Sequence, residues 1–182
     1  MTFNKQEAAD IAHDKCVDFL ELNGIRLPEF KEGCKNYGEY HRGLVRYNIA
    51  RSSVPALNPV RRWSYPGYKA DRTIYGIIAH ECGHHIWFEK TVFFNRKQWG
   101  KWVEITKTTK RISSYEPNYH ESFAETSRLF ILNPTLLKEA VPGRYDFLTQ
   151  ELELKPSIDR HWTKILKDSP KHLTAAQNWI NK

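Results

Sequence analysis

Cysteine is scarce in this chain. Cys16, Cys34 and Cys82 are the three among 182 residues, an odd number with no Cys-x-x-Cys pair. That excludes a disulfide framework and a zinc ribbon as the basis of the fold, and it fits a reducing compartment. Long apolar runs are missing as well. The opening residues, Met-Thr-Phe-Asn-Lys-Gln-Glu, lack the basic start and apolar stretch of a secretion signal, and nothing approaches the roughly 18 uncharged residues of a membrane-spanning helix. The expectation is a cytoplasmic chain with no membrane partner, export without a signal peptide remaining compatible. Internal repeats and low-complexity tracts are also absent, so neither a solenoid nor a disordered linker is expected.

Apolar residues make up 40% of the chain and aromatics 13%, enough to build a hydrophobic core in one domain of this length. The net charge of +7 is concentrated in the middle: residues 41–112 hold 14 of the 28 basic side chains but only 4 of the 21 acidic ones. A basic stretch attracts nucleic acid or acidic substrates. Here Arg61-Arg62-Trp63 and residues 107–111 are short clusters unaccompanied by a nucleic-acid module. A solvated basic surface is the simpler reading, and nucleic acid is a partner the sequence allows without favouring. The oligomeric state is open.

Local pattern predicts a first helix over residues 5–22, with Asn4 as N-cap, Glu7 as its capping-box partner, Gly24 just past the end, and Ala8, Ile11, Ala12, Phe19 and Leu22 as its apolar stripe. Residues 28–40 read as turn-rich. Residues 43–49 alternate as a strand, with Val45, Tyr47 and Ile49 on one face. Residues 52–69, with Pro55, Pro59 and Pro66, read as a long irregular loop. A second helix begins after a capping Asp71, a third covers residues 96–107, and a fourth covers 119–132 ahead of Pro134. Short helical pieces broken by Pro142-Gly143, Pro156 and Pro170 follow. Trp87, Trp99 and Trp102 are core by default.

Residues 80–84 read His-Glu-Cys-Gly-His on the second helix. Histidines at i and i+4 share a helix face, so both imidazoles reach one metal ion, and the intervening Glu81 stands where a base can act on water at that ion. Gly83 permits another element to approach closely, Cys82 points off the ligand face, and His85 turns about 100° away, as His120 does on its own helix. Both of these histidines read as cleft or surface residues. A third ligand is still required. The HExxHxxGxxH pattern fails, because Trp87 and Lys90 occupy the positions of its glycine and last histidine. The fourth helix offers Glu121 and Glu125 at i and i+4 on one side, with Phe123 and Ala124 turned elsewhere. One carboxylate coordinates while the other accepts the N–H of a ligating histidine and holds its ring. Glu121 is assigned to the metal and Glu125 to His80.

His80-Glu-Cys-Gly-His84 together with Tyr115 through Glu125 resembles the gluzincin peptidases related to the anthrax lethal factor catalytic domain and the Pro-Pro endopeptidases. The element pattern, mostly helix with a minor sheet and no evident linker, implies an α+β, predominantly helical single domain over residues 1–182; the resemblance, which covers about half the chain, implies that it is zincin-like, with a small β-sheet and an HExxH active-site helix. It implies one Zn2+ ion on His80, His84 and Glu121, catalysis by Glu81, and support of the oxyanion by Tyr115. Tyr119 is the alternative donor, but two residues before Glu121 it projects to nearly the opposite helix face. The expected function is zinc-dependent hydrolysis of a protein or peptide substrate. The competing readings are a binding or virion-associated structural protein that keeps the fold, and a nucleic-acid-associated protein using residues 41–112. Residues 44–49 are the expected strand for pairing with an extended substrate.

Overall fold

The computed structural model describes residues 5–52, 72–91 and 96–157. The proposed caps Asn4 and Asp71, the proline-containing loop beyond residue 52 and the chain after residue 157 lie outside these residues. The fold is α+β and mostly helical, with a small three-stranded sheet.

Helix α1, Lys5–Leu22, buries Ala8, Ala9, Ala12, Cys16, Phe19 and Leu20. The small residues at i, i+4 and i+8 form a flat stripe that lets α1 lie close against its neighbour. Leu22, expected on that stripe, is 45% exposed, because the chain turns there. Gly24, at φ 59, accepts the left-handed conformation that ends the helix. The N–H of Ile25 then reaches the carbonyl of Leu20 and that of Gly24 the carbonyl of Glu21, the paired closure that satisfies two orphan acceptors.

The segment expected to be turn-rich contains two strands, β1 Glu29–Glu32 and β2 Gly38–His41, beside the anticipated β3, Leu44–Tyr47. β1 pairs parallel and β2 antiparallel with β3, giving the order β1-β3-β2. The β2–β3 connection is a two-residue turn in which Arg42 and Gly43 both take positive φ, the twist that suits a tight hairpin. Strands of four residues have little intrinsic preference, and these exist because β3 supplies both ladders. Val45 on β3 is fully buried, and Tyr47 and Ile49 pack on the core beside it, which is the predicted face.

Helix α2, Ile74–Thr91, is the central element. Its first turn is closed by Thr73, whose hydroxyl accepts the N–H of Gly76. α1, the sheet and α4 (Tyr119–Leu132) all pack on it, so Ile74, Tyr75, Ile78, Ala79, Cys82 and Ile86 are wholly buried. His85, read above as a cleft or surface residue, is also fully buried. Its Nε2–H donates to the carbonyl of Arg26 at 2.6 Å, and its Nδ1 faces the Tyr40 hydroxyl at 3.3 Å. That hydroxyl accepts the N–H of Gly43. The ring therefore ties the β2–β3 turn to the middle of α2. The cause is tertiary: the sheet covers the helix face that a helix-only projection leaves open.

Helix α3, Arg96–Thr108, carries Trp102, which is fully buried against Phe123 and Phe147. Trp87 and Trp99 are only partly buried and meet His120 at the surface. Pro134 and Pro142 open the short helices α5, Pro134–Ala140, and α6, Pro142–Asp146, at the position where a missing N–H is harmless. A π-helical turn, Phe147–Glu151, continues α6.

The crossing of α2 and α4 depends on Gly83. A Cβ placed there would lie 2.7 Å from both Cα and O of Ala124, so the helices touch backbone to backbone. Glycine inside a helix costs about 1 kcal/mol relative to alanine, and Gly83→Ala would be stabilising if the space were open. Since the atoms in the way are backbone, the substitution should instead destabilise by about 1–3 kcal/mol, the usual range for overpacking. Urea unfolding measures this, and an unchanged or raised midpoint would contradict the close crossing.

Candidate metal centre

Two devices aim the side chains of α4. Asn118 caps the helix, its side-chain oxygen accepting the N–H groups of His120 and Glu121. Glu121 thus sits in the first turn, where the helix dipole favours a carboxylate. The rest of the helix is held by burial from Ser122 to Leu132. Opposite, the motif turn of α2 is fixed by the Gly83–Ala124 contact.

The outcome is a convergence of donors from two helices. Glu121 Oε2 lies 3.1 Å from His80 Nε2 and 3.5 Å from His84 Nε2. One donor atom from each of the three residues falls within 4.8 Å of the others, and the two imidazole rings stand edge to face at 4.9 Å. This group can hold a metal ion. Two imidazole nitrogens and one carboxylate oxygen, with a side left open to a cleft, are a donor set that suits a divalent transition metal and leaves a coordination position free.

Behind the ligands runs a buried chain of charge. His80 Nδ1 lies 2.7 Å from Glu125 Oε1. Glu125 in turn receives Arg128 Nε and Nη2, each at 3.1 Å, and both residues are almost fully buried. With Nδ1–H donated to Glu125, the lone pair of Nε2 is directed at the ligand centre. Glu121 and Glu125 are therefore brought to the two different nitrogens of one ring. Removing one partner of such a buried pair strands the other, typically at about 3–5 kcal/mol. Arg128 was not foreseen; its i+3 spacing from Glu125 was the available signal.

Glu81 is buried beside the ligands and lines the same cleft of about 650 Å³. Burial raises its carboxyl above the ordinary value, opposed by His80 and His84. Gly38 of β2 lies directly over it: a Cβ at that position would come within 2.6 Å of Glu81 Oε1. Only a glycine lets the strand approach this closely. Tyr115 also lines the cleft, half-exposed, its ring 5.8 Å from that of His80. Burial, together with the carboxylates of Glu121, Glu81 and Glu125, raises its phenol, so it remains a hydrogen-bond donor at neutral pH. Tyr119 packs on Trp99 instead and is absent from the cleft lining.

The cleft wall overturns one expectation. β3 cannot receive a substrate strand, because β1 and β2 occupy both its sides. Among the described residues, the strand with an unpaired side that lines the cleft is β2, Gly38–His41. At the near end of the cleft, Arg72 stacks on the Tyr37 ring at 4.6 Å and donates to its hydroxyl at 3.0 Å. Elsewhere in the basic stretch, Arg46, Lys101 and Lys107 pair with Glu39, Glu151 and Glu104. No helix among the described residues is long and apolar enough to cross a membrane.

No protein-family model, curated protein or solved structure matches the chain.

A proton competes with a cation at His80. Burial opposes the His80 imidazolium, but hydrogen bonds to Glu121 and Glu125 outweigh it and lift the ring from 6.5 to about 10. The same contacts hold Glu121 down, against its own burial. A raised folded value means that this pairing stabilises the metal-free fold fully below about pH 6.5 and is lost as pH climbs toward 10. A cation at Nε2 must displace the proton, so Zn2+ affinity should rise with pH, by up to about tenfold per unit between pH 6.5 and about 8.5. Competition against a chromogenic chelator measures it, and an affinity independent of pH would contradict the assignment.

Proposed function

We propose that the chain is a zinc-dependent metallopeptidase of the gluzincin type, acting on an extended segment of a protein or peptide. The observation that carries the reading is the convergence of His80, His84 and Glu121 on one point beside buried Glu81, at the floor of a cleft walled by a strand with one side unpaired among the described residues. Glu125 is buried in bonds to His80 and Arg128 that hold the ring, whereas Glu81 is buried beside the cluster without serving a histidine in that way. Glu81 is a costly group to bury, and a role in proton transfer accounts for it.

His80, His84 and Glu121 would hold the ion, which when bound supplies Lewis acidity toward a carbonyl and lowers the pKa of water. Glu81, whose carboxyl is raised above its ordinary value by burial, takes a proton from the attacking water and returns it to the leaving amine. The Tyr115 hydroxyl donates to the oxyanion of the tetrahedral species, a task suited to a phenol that stays protonated. Glu125, braced by Arg128, fixes the His80 ring and its tautomer. The substrate backbone lies along β2, where unpaired backbone groups accept an extended peptide as an added strand. Gly38 keeps that strand close to Glu81, so the scissile bond is delivered to the base.

The test is a quenched-fluorescence peptide-library screen of the zinc-loaded chain, with metal content measured in parallel. Glu81→Gln should retain zinc and lose at least about a hundredfold in turnover. Full activity in that variant would overturn the proposal. Tyr115→Phe should lower kcat by about a hundredfold with little change in KM. A loss confined to KM would move Tyr115 from oxyanion support to substrate binding.

A further inference from the structure

Tyr115 lies in the irregular segment 109–118 between α3 and α4, on the surface side of the cleft and 48% exposed. A half-exposed side chain on such a segment has limited packing of its own to hold it in register, and misplacing a catalytic hydroxyl by about 1 Å costs about a hundredfold in rate. The residues around it supply the missing constraint. Ser113 and Glu116, on either side of Tyr115, are both almost fully buried. The Ser113 hydroxyl accepts the N–H of Tyr115 at 3.0 Å. Glu116 Oε1 accepts the N–H groups of Ile112 and Ser113, and its Oε2 accepts the Ser122 hydroxyl and Arg144 Nη1, each at 2.9 Å.

Arg144 is wholly buried on α6. It also donates to Thr126 on α4 at 3.2 Å and to Thr109, just past α3, at 3.0 Å. The carboxylate of Glu116 is thus saturated by four donors, and the guanidinium ties α6 and α4 to the segment. A buried ion pair is a poor source of stability, since apolar side chains of similar volume do as well or better. What this one supplies is direction: each of its bonds terminates on the segment that carries Tyr115 or on an element flanking it.

We infer that Ser113 and Glu116, braced by Arg144, are positioning residues that hold the Tyr115 hydroxyl over the metal-ligand cluster. The inference rests on the reading of Tyr115 as oxyanion donor, and its test separates the two. 3-Fluorotyrosine is placed at position 115 in the full chain, with a second sample labelled at Tyr47 on β3 as control, and 19F spectra are compared for wild type, Ser113→Ala and Ser113→Thr. Ser113→Ala removes one hydroxyl and leaves the ion pair in place, so the chain should remain folded.

The expected result is that Ser113→Ala moves the position-115 resonance toward its value in unfolded chain while the position-47 resonance stays put. Ser113→Thr, which keeps the hydroxyl, should restore the wild-type shift. Arg144→Lys, which keeps the charge but not the three-way contact, should move the position-115 resonance in the same direction as Ser113→Ala. A position-115 resonance unmoved by either Ser113→Ala or Arg144→Lys overturns the inference, and so does equal movement at both labels. In turnover of the fastest-cleaved library peptide, Ser113→Ala should lower kcat about tenfold without changing KM, yet by less than about twofold in a Tyr115→Phe background. Equal losses in both backgrounds would also overturn it. If Tyr115→Phe turns over normally while the 19F result holds, the positioning stands and the oxyanion reading falls.

Discussion

Everything at the candidate centre depends on how closely α2 and α4 can cross. The two histidines belong to one helix and Glu121 and Glu125 to the other, so the spacing of the helix axes decides whether four side chains meet around one point. Gly83 against the backbone of Ala124 sets that spacing at its lower limit. A larger side chain would push Glu121 outward from Nε2 and Glu125 outward from Nδ1 together, because both carboxylates ride on the same rigid rod. The contact is steric, and it governs the electrostatics: a hydrogen bond of 2.7 Å between buried charges tolerates little displacement before desolvation outweighs attraction.

The charged groups are layered around this crossing. Glu121 faces the cleft, Glu125 faces inward, and Arg128 closes the inner end. His80 bridges the two carboxylates and so can hold a proton or a cation between them. The opposing directions of their titration express a single fact: the folded chain favours positive charge at Nε2. A second buried ion pair, Glu116 with Arg144, stands apart on the other side of α4. Its partners are two backbone N–H groups and the Thr109 hydroxyl of an irregular segment, with the hydroxyls of Ser122 and Thr126 on α4. The first pair orients a ligand, and the second orders the chain leading to Tyr115.

The sheet is small, yet it shapes the cleft. β2 reaches over the motif turn of α2 with a glycine at the point of contact, and His85 pins the β2–β3 turn to the same helix through Tyr40 and the Arg26 carbonyl. The cleft has a buried carboxylate on its floor and, on its wall, a strand whose outer side is unpaired among the described residues. For that reason we propose an extended peptide as the substrate class.

The sequence by itself determined what is periodic and local. The i, i+4 spacing of His80 with His84 and of Glu121 with Glu125 and the bounds of α1 and α4 follow from 3.6 residues per turn and from residues adjacent in the chain; that Gly83 permits a close approach is legible too, but that Ala124 requires it is not. Tertiary structure alone decided which strand is left unpaired at the cleft, why His85 is buried, and how Glu116 finds Arg144 28 residues away. Four-residue strands carry almost no local signal, so pairing with β3 decides both their existence and their order. A helical projection shows where a side chain points but not what arrives to cover it, and His85 lies beneath a sheet formed by residues about forty positions earlier. Buried polar networks are the least legible of all: their members come from separate elements, and only the packing that removes water makes their mutual bonds obligatory.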